Sequence, residues 1–182
     1  MNDLTEKILH SDTVYRGKAL NIRVDTVELP DGRTGKREVV ERPETVVIVP
    51  VTTDGQLLLV RQYKIAIDQA MLVLPAGNVK PGEEPAAAGR KLLGQTGYKP
   101  EALTTLVSLF STTGICSETV HLFLASGLRE AQQKPADEVV ALAPVEWEQA
   151  LKMVWSGEIF DAASVAGILA ADSYLRNSRT TP

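Results

Sequence analysis

The sequence has a single cysteine, Cys116, and only two histidines, His10 and His121. One thiol excludes an intrachain disulfide and suits a reducing compartment. The histidines lack metal-ligand spacing and Cys116 has no histidine near it in sequence, so these read as buried or tolerated residues rather than ligands or nucleophiles. There is no basic block, and the net charge of -4 argues against nucleic acid as a partner. There is no membrane-length apolar run either: the longest helical apolar stretch, Ala162 to Ala171, is too short and is interrupted by Ser164. The opening MNDLTEKILH is mixed polar without the apolar core of a signal peptide, so a cytoplasmic location is expected. Repeats and low-complexity tracts are missing, and only Asn177 to Pro182 reads as a frayed tail. The most telling gap is local. Between Glu84 and Glu101 the chain contains no Asp or Glu.

What is there is ordinary for a soluble globular protein: 182 residues, 44% hydrophobic and 23% charged, enough for one domain with a sizeable core. Residues 14–29 read as extended, with Leu20, Ile22 and Val24 alternating before a parity change to Val27 and Leu29 that predicts a bulge or a change of covered face. Pro30-Asp31-Gly32 turns the chain into a strand over about Lys36 to Glu41. Val46 to Val51 is an all-apolar run expected to be a strand buried on both faces, and Asp54-Gly55 turns it into Leu57 to Tyr63, a hairpin expected to be central. Further strands are predicted over Leu103 to Phe110, Val120 to Ala125 and Val139 to Leu142. Pro144 precedes a helix over about Glu146 to Trp155, stopped by Gly157, and Asp161 is placed to N-cap a last helix, Ala162 to Arg176.

Leu72 to Tyr98, LVLPAGNVKPGEEPAAAGRKLLGQTGY, reads as strand, glycine loop, helix and glycine stop. Leu72 to Pro75 end a strand, Gly77 and Pro81-Gly82 mark a loop, Pro85 fits a first helical turn, and Gly97 supplies the stop. Gly89 and Gly94 each weaken that helix by about 1 kcal/mol relative to alanine. Close packing against a sheet and relaxed constraint on the helix are both open as reasons.

This stretch resembles the Nudix box: a glycine, five residues, a glutamate, seven residues, then Arg-Glu-aliphatic-any-Glu-Glu-any-Gly-aliphatic. Gly77 and Glu83 stand at the first anchors, and Arg90, Leu92, Gly97 and Tyr98 match its end if one residue is missing between Glu83 and Arg90. LPAG and PGE are similar to the ADP-ribose pyrophosphatase branch, as are LPDGRTGKREVVERP, LLLVRQYK, HLFLASGL, DEVVALAPV and SGEIFDAASVAGIL. The resemblance implies an α/β Nudix fold, a mixed-sheet α/β/α sandwich with an N-terminal antiparallel strand pair. Residues 1–45 are the expected dimerisation strands and 46–182 the Nudix domain, one structural unit together, and a homodimer is implied.

In that family magnesium or manganese held by helical glutamates drives attack of water on a diphosphate, and hard cations need charged oxygen ligands. Here Lys91, Gly94 and Gln95 stand where the family carries those glutamates, and Val73 stands where a glutamate commonly precedes LPAG. Glu83 leads any surviving catalytic or metal contacts, with Glu84 beside it; Glu118, Asp137 and Glu138 match positions where the family commonly has acids, the last two in the segment of its water-activating acid. For ligand recognition the resemblance points to Arg37, Glu41, Arg61, Lys64 and the backbone of Ala76, with Gly77, Arg90, Lys91 and Gln95 along the box. Lys64 replaces a frequent arginine, and Ser111-Thr112-Thr113-Gly114 replaces a frequent Ser-Pro-Gly. An ammonium at Lys91 suits a diphosphate without generating hydroxide, the competing reading being two solvated helix cations, Arg90 and Lys91.

Three functions stay open at this stage. The first is a binder of a nucleoside diphosphate derivative such as ADP-ribose with weak or no hydrolysis. The second is an active magnesium- or manganese-dependent diphosphatase built from other acids, and the third a non-catalytic scaffold or regulatory subunit.

Overall fold

The computed structural model describes residues 4–130 and 141–180, in two compact units: Met1–Pro43 with Phe110–Thr119, and Glu44–Leu109 with Val120–Pro182. The first unit is a three-stranded antiparallel sheet in the order β1-β2-β3, from β1 (Lys7–Arg16), β2 (Asn21–Glu28) and β3 (Thr34–Glu41). The expected strand pair therefore has a third strand ahead of it. Residues 14–29 are not one extended segment, because the chain reverses where the Gly17 N–H bonds the Leu20 carbonyl at 3.0 Å. The irregularity falls in β1, between Ile8 and His10 and between Thr13 and Tyr15, while β2 pairs with β3 without a break. The parity change has another cause. Asp25, only 2% exposed, shares its inward face with Val27 because the Ser11 hydroxyl (2.6 Å) and the Arg23 Nε (2.9 Å) satisfy its carboxylate.

The second unit runs β4 (Thr45–Pro50), β5 (Gln56–Lys64), a 3-10 turn (Ile65–Ile67), β6 (Gln69–Val73), β7 (Ala76–Asn78), α1 (Pro85–Gln95), β8 (Tyr98–Lys99), β9 (Ala102–Phe110), β10 (Thr119–Ser126), β11 (Arg129–Glu130), β12 (Ala141–Glu146), α2 (Trp147–Ser156) and α3 (Ala162–Thr180). One sheet has the order β7-β4-β10-β9, with β4 parallel to β10 and antiparallel to β7. A second has the order β12-β5-β6, and β8 pairs with β11. The expected hairpin is thus split between two sheets: β4 and β5 are each interior to their own, and the bridge Val51 to Leu57 joins them.

All six residues of β4 are buried, as its unbroken β-branched run predicts. Val46 and Ile48 pack with Ala88 and Leu93 of α1, whereas Val47 and Val49 pack with Ala150, Ile168 and Ala171 of α2 and α3. Alternation along one strand thereby sorts its side chains into two helical layers, the α/β/α sandwich. On β10, Leu122 and Leu124 join one layer and Phe123 and Ala125 the other.

Two features near the C-terminal end differ from the sequence reading, the setting of Pro144 and the length of the last helix, while the helix between them appears as expected. Pro144 lies inside β12, opposite Leu58, where an edge strand tolerates a missing donor. The helix after it starts at Trp147, with Gly157 at φ 77° as its left-handed stop. The last helix continues through the supposed tail to Thr180, and the Asp161 carboxylate caps it by accepting the Ser164 N–H at 2.9 Å. Val139 and Val140 lie outside the described residues.

Candidate functional site

The loop between β7 and α1 carries the site. β7 lies against β4, Val46 opposite Gly77, and against α1, since a Cβ on Gly77 would stand 3.3 Å from Leu92 Cδ1. The Val79 N–H bonds the Glu44 carbonyl at 2.8 Å, and the Glu83 N–H closes a turn onto the Lys80 carbonyl at 2.9 Å. Gly82 fits this turn because its φ of 75° is one that side-chain-bearing residues avoid. Glu84 then enters the helix in an extended conformation without a side-chain cap, and Pro85 opens it.

That turn aims the Glu83 carboxylate along the helix. One oxygen accepts the Lys80 N–H at 3.3 Å, and the other forms an ion pair with Lys91, eight residues on. The two partners differ in exposure, the Glu83 side chain at 12% and the Lys91 side chain at 70%. The Lys91 ammonium, with the Lys80 N–H second, holds the Glu83 carboxyl below its ordinary range, so it is ionised at neutral pH. Arg90 and Gln95 are exposed, and the Arg90 guanidinium reaches back to the Ala86 carbonyl at 3.5 Å. α1 runs unbroken, so Lys91 shares a helical face with Gly94 and Gln95, three and four residues on.

The two glycines differ in their surroundings. A Cβ on Gly89 would stand 2.9 Å from Ile48 Cδ1 and 3.3 Å from Val46 Cγ2, so close packing explains it; a Cβ on Gly94 would meet nothing within 4 Å. Val73 is buried with Val60 and Met71, and Leu142 packs against them, an apolar setting.

Divalent ions need several oxygen donors, mostly anionic. This helix face offers an ammonium, a glycine and one neutral amide, while Glu83 already has its counter-ion. Among the described residues no three His, Cys, Asp or Glu side chains are grouped to hold a metal. The donor set on α1 does not fit magnesium or manganese.

The other expected residues are held elsewhere. In the first unit, buried Glu118 lies 3.7 Å from Arg42, Arg37 pairs with Glu6, and Glu41 receives Arg23. In the second, Lys64 donates to the Gln62 side chain at 2.8 Å, Arg61 is exposed on β5, and Ala76 is exposed on β7. Asp137 and Glu138 lie outside the described residues. Glu83 and Lys91 are the pair that the tertiary fold joins. Sequence reasoning missed the Lys80 N–H as a Glu83 partner, although Pro81-Gly82 signals the turn that creates it. His121, expected to be a buried or tolerated residue, is half-buried, with Nδ1 2.8 Å from Ser108 Oγ and Nε2 3.1 Å from Glu44. Those partners are remote in sequence, and no local signal could have found them.

A mixed sheet between helical layers, preceded by an antiparallel sheet and carrying a glycine loop before α1, defines the class. The NUDIX domain model matches residues 41–163, and the model of the nucleoside diphosphate sugar hydrolase N-terminal domain matches residues 6–40. The chain belongs to the Nudix family, in its ADP-ribose pyrophosphatase-like branch. It is 36% identical over 172 residues to the ADP-ribose pyrophosphatase of Bacillus subtilis (strain 168), covering 92% of this chain and 93% of that one. It is 31% identical over 167 residues to the methanol dehydrogenase activator of Bacillus methanolicus, covering 90% of each. A crystal structure described as an ADP compounds hydrolase superposes with a TM-score of 0.87 over the whole of both chains at 21% identity, a likeness of fold.

Proposed function

We propose that this protein binds a nucleoside diphosphate derivative such as ADP-ribose and hydrolyses it weakly or not at all. The observation that carries this reading is the Glu83 to Lys91 ion pair on a helix face that has no carboxylate of its own. Nudix enzymes use divalent metal both to screen the diphosphate and to lower the pKa of the attacking water. A lysine performs the first task and not the second: its ammonium is a compact point charge that attracts phosphate oxygens but cannot hold a hydroxide. Bound ligand would then keep its phosphoanhydride intact.

Calorimetry with ADP-ribose, in magnesium and in EDTA, tests the proposal together with an assay for AMP release. Binding that survives EDTA without turnover is expected. Release of AMP at an ordinary enzymatic rate, abolished by EDTA, would favour instead an active diphosphatase using Glu83, Glu84, Glu118 and Asp137 or Glu138.

A regulatory role is a second reading, supported by the relative named methanol dehydrogenase activator. It predicts no heat with ADP-ribose or sugar nucleotides and a stable complex with another protein. In either reading we place the protein in the cytoplasm as a homodimer formed through its N-terminal strands. All ten residues of β1 are exposed, Ile8, Leu9, Val14 and Tyr15 among them. Sedimentation at micromolar concentration should give twice the mass of the chain, and Leu9→Lys should shift it toward the monomer.

A further inference from the structure

We infer that the Glu83 carboxylate is a built-in competitor for the Lys91 ammonium, so that a diphosphate must take Lys91 from Glu83 in order to bind. This deepens the proposed binding function and rests on it.

The geometry makes the acid the fixed partner and the ammonium the accessible one. Glu83 is anchored twice to Lys80, through its own N–H on the Lys80 carbonyl and through its carboxylate on the Lys80 N–H, and little of its side chain meets solvent. Its remaining oxygen faces Lys91, whose side chain is mostly exposed. A phosphate arriving from solvent meets the open side of the ammonium and finds a full negative charge already behind it. Like charges sharing one cation repel, so part of the attraction between Lys91 and the ligand is lost. The Arg90 guanidinium is engaged elsewhere, reaching back to the Ala86 carbonyl at 3.5 Å. Position 83 thereby sets how strongly an anion is held, a role different from holding a metal.

The two roles give opposite results for Glu83→Gln. The amide keeps nearly the same shape, still accepts the Lys80 N–H, and removes the charge. In EDTA and low salt, ADP-ribose should bind Glu83→Gln about two- to fivefold more tightly than wild type, the range expected when an ion pair at an exposed lysine is released. The gain should shrink as salt is added, and it should vanish in a Lys91→Met background. Glu83→Asp, which withdraws the carboxylate by one methylene, should show a smaller gain of the same sign and serves if the amide loosens the loop. Thermal melts accompany each titration to establish folding.

Unchanged or weaker binding by folded Glu83→Gln, with wild type still binding, would overturn the competition and leave the binding function standing. So would a gain that persists without Lys91, since Glu83 would then be acting on another group. No heat from wild type or any variant would remove the binding function and this inference together, whereas heat from Glu83→Gln alone would support both.

Discussion

A side chain on Gly89 would collide with Ile48, their nearest approach being 2.9 Å from the glycine's missing Cβ to Ile48 Cδ1, whereas Gly94, five residues later in the same helix, faces open space. Both glycines, more than one turn from each other, weaken the same helix, but only the first has its reason in the core. Gly89→Ala should therefore destabilise the protein by up to about 2 kcal/mol, because overpacking against Val46 and Ile48 costs about 1–3 kcal/mol and helix propensity returns about 1 kcal/mol. Gly94→Ala should stabilise it by about 0.5–1 kcal/mol, because nothing opposes the gain in helix propensity. Urea midpoints of the two variants check both signs.

Lys91→Glu sets two carboxylates against each other and removes the ammonium proposed to meet the ligand. We expect ADP-ribose affinity in EDTA to fall about tenfold or more, since reversing one nearby charge, a change of two charge units, alters the interaction by about 1.4 kcal/mol or more. Isothermal titration reads this directly. An unchanged dissociation constant would show that Lys91 takes no part in holding the ligand.

Placing acids at the box positions tests the proposed lack of hydrolysis from the other side. In Lys91→Glu/Gly94→Glu/Gln95→Glu, all three positions lie on one helical face and Gly94 has space for the new side chain. Magnesium-dependent release of AMP from ADP-ribose should appear in this variant and be abolished by EDTA. Because acids late in a helix oppose its dipole, a modest drop in Tm is also expected.

Two carboxylates should shape the acid side of the stability curve. Asp25, bonded by the Ser11 hydroxyl and then by Arg23, and Glu83, paired with Lys91, are both held below their ordinary range in the folded protein. An acid whose folded pKa is depressed contributes stability that is fully present above its unfolded value of about 4 and is lost as pH falls through the folded value. Asp25→Asn should lower stability at neutral pH and flatten its loss over the acid range below about pH 4. Urea midpoints measured across that interval check the slope, and an unaltered slope would assign acid sensitivity to other groups.

Much of the fold was legible because its signals are local. The all-apolar Val46 to Val51 run, the Gly157 stop and the Asp161 cap each state a backbone preference within a few residues, and each appears within a residue or two of its expected place. The split of β4 and β5 between two sheets was not legible, since a two-residue turn signal does not say whether the flanking strands continue as one ladder. Nor was the cause of the parity change in β2, where Asp25 is held by Ser11, fourteen residues away, and by Arg23.

By itself, the sequence determined the family fold and the chemical character of the box helix: its acids are absent, and a cation stands among its exposed residues. Composition and local pattern suffice for that, because they decide which faces can be buried and which charges a helix can present. Only the tertiary structure decided that Lys91 is paired with Glu83 across the loop, and that Gly89 is fixed by packing while Gly94 is not. Those outcomes depend on distances between groups on different elements, which the folded backbone sets and no stretch of sequence contains.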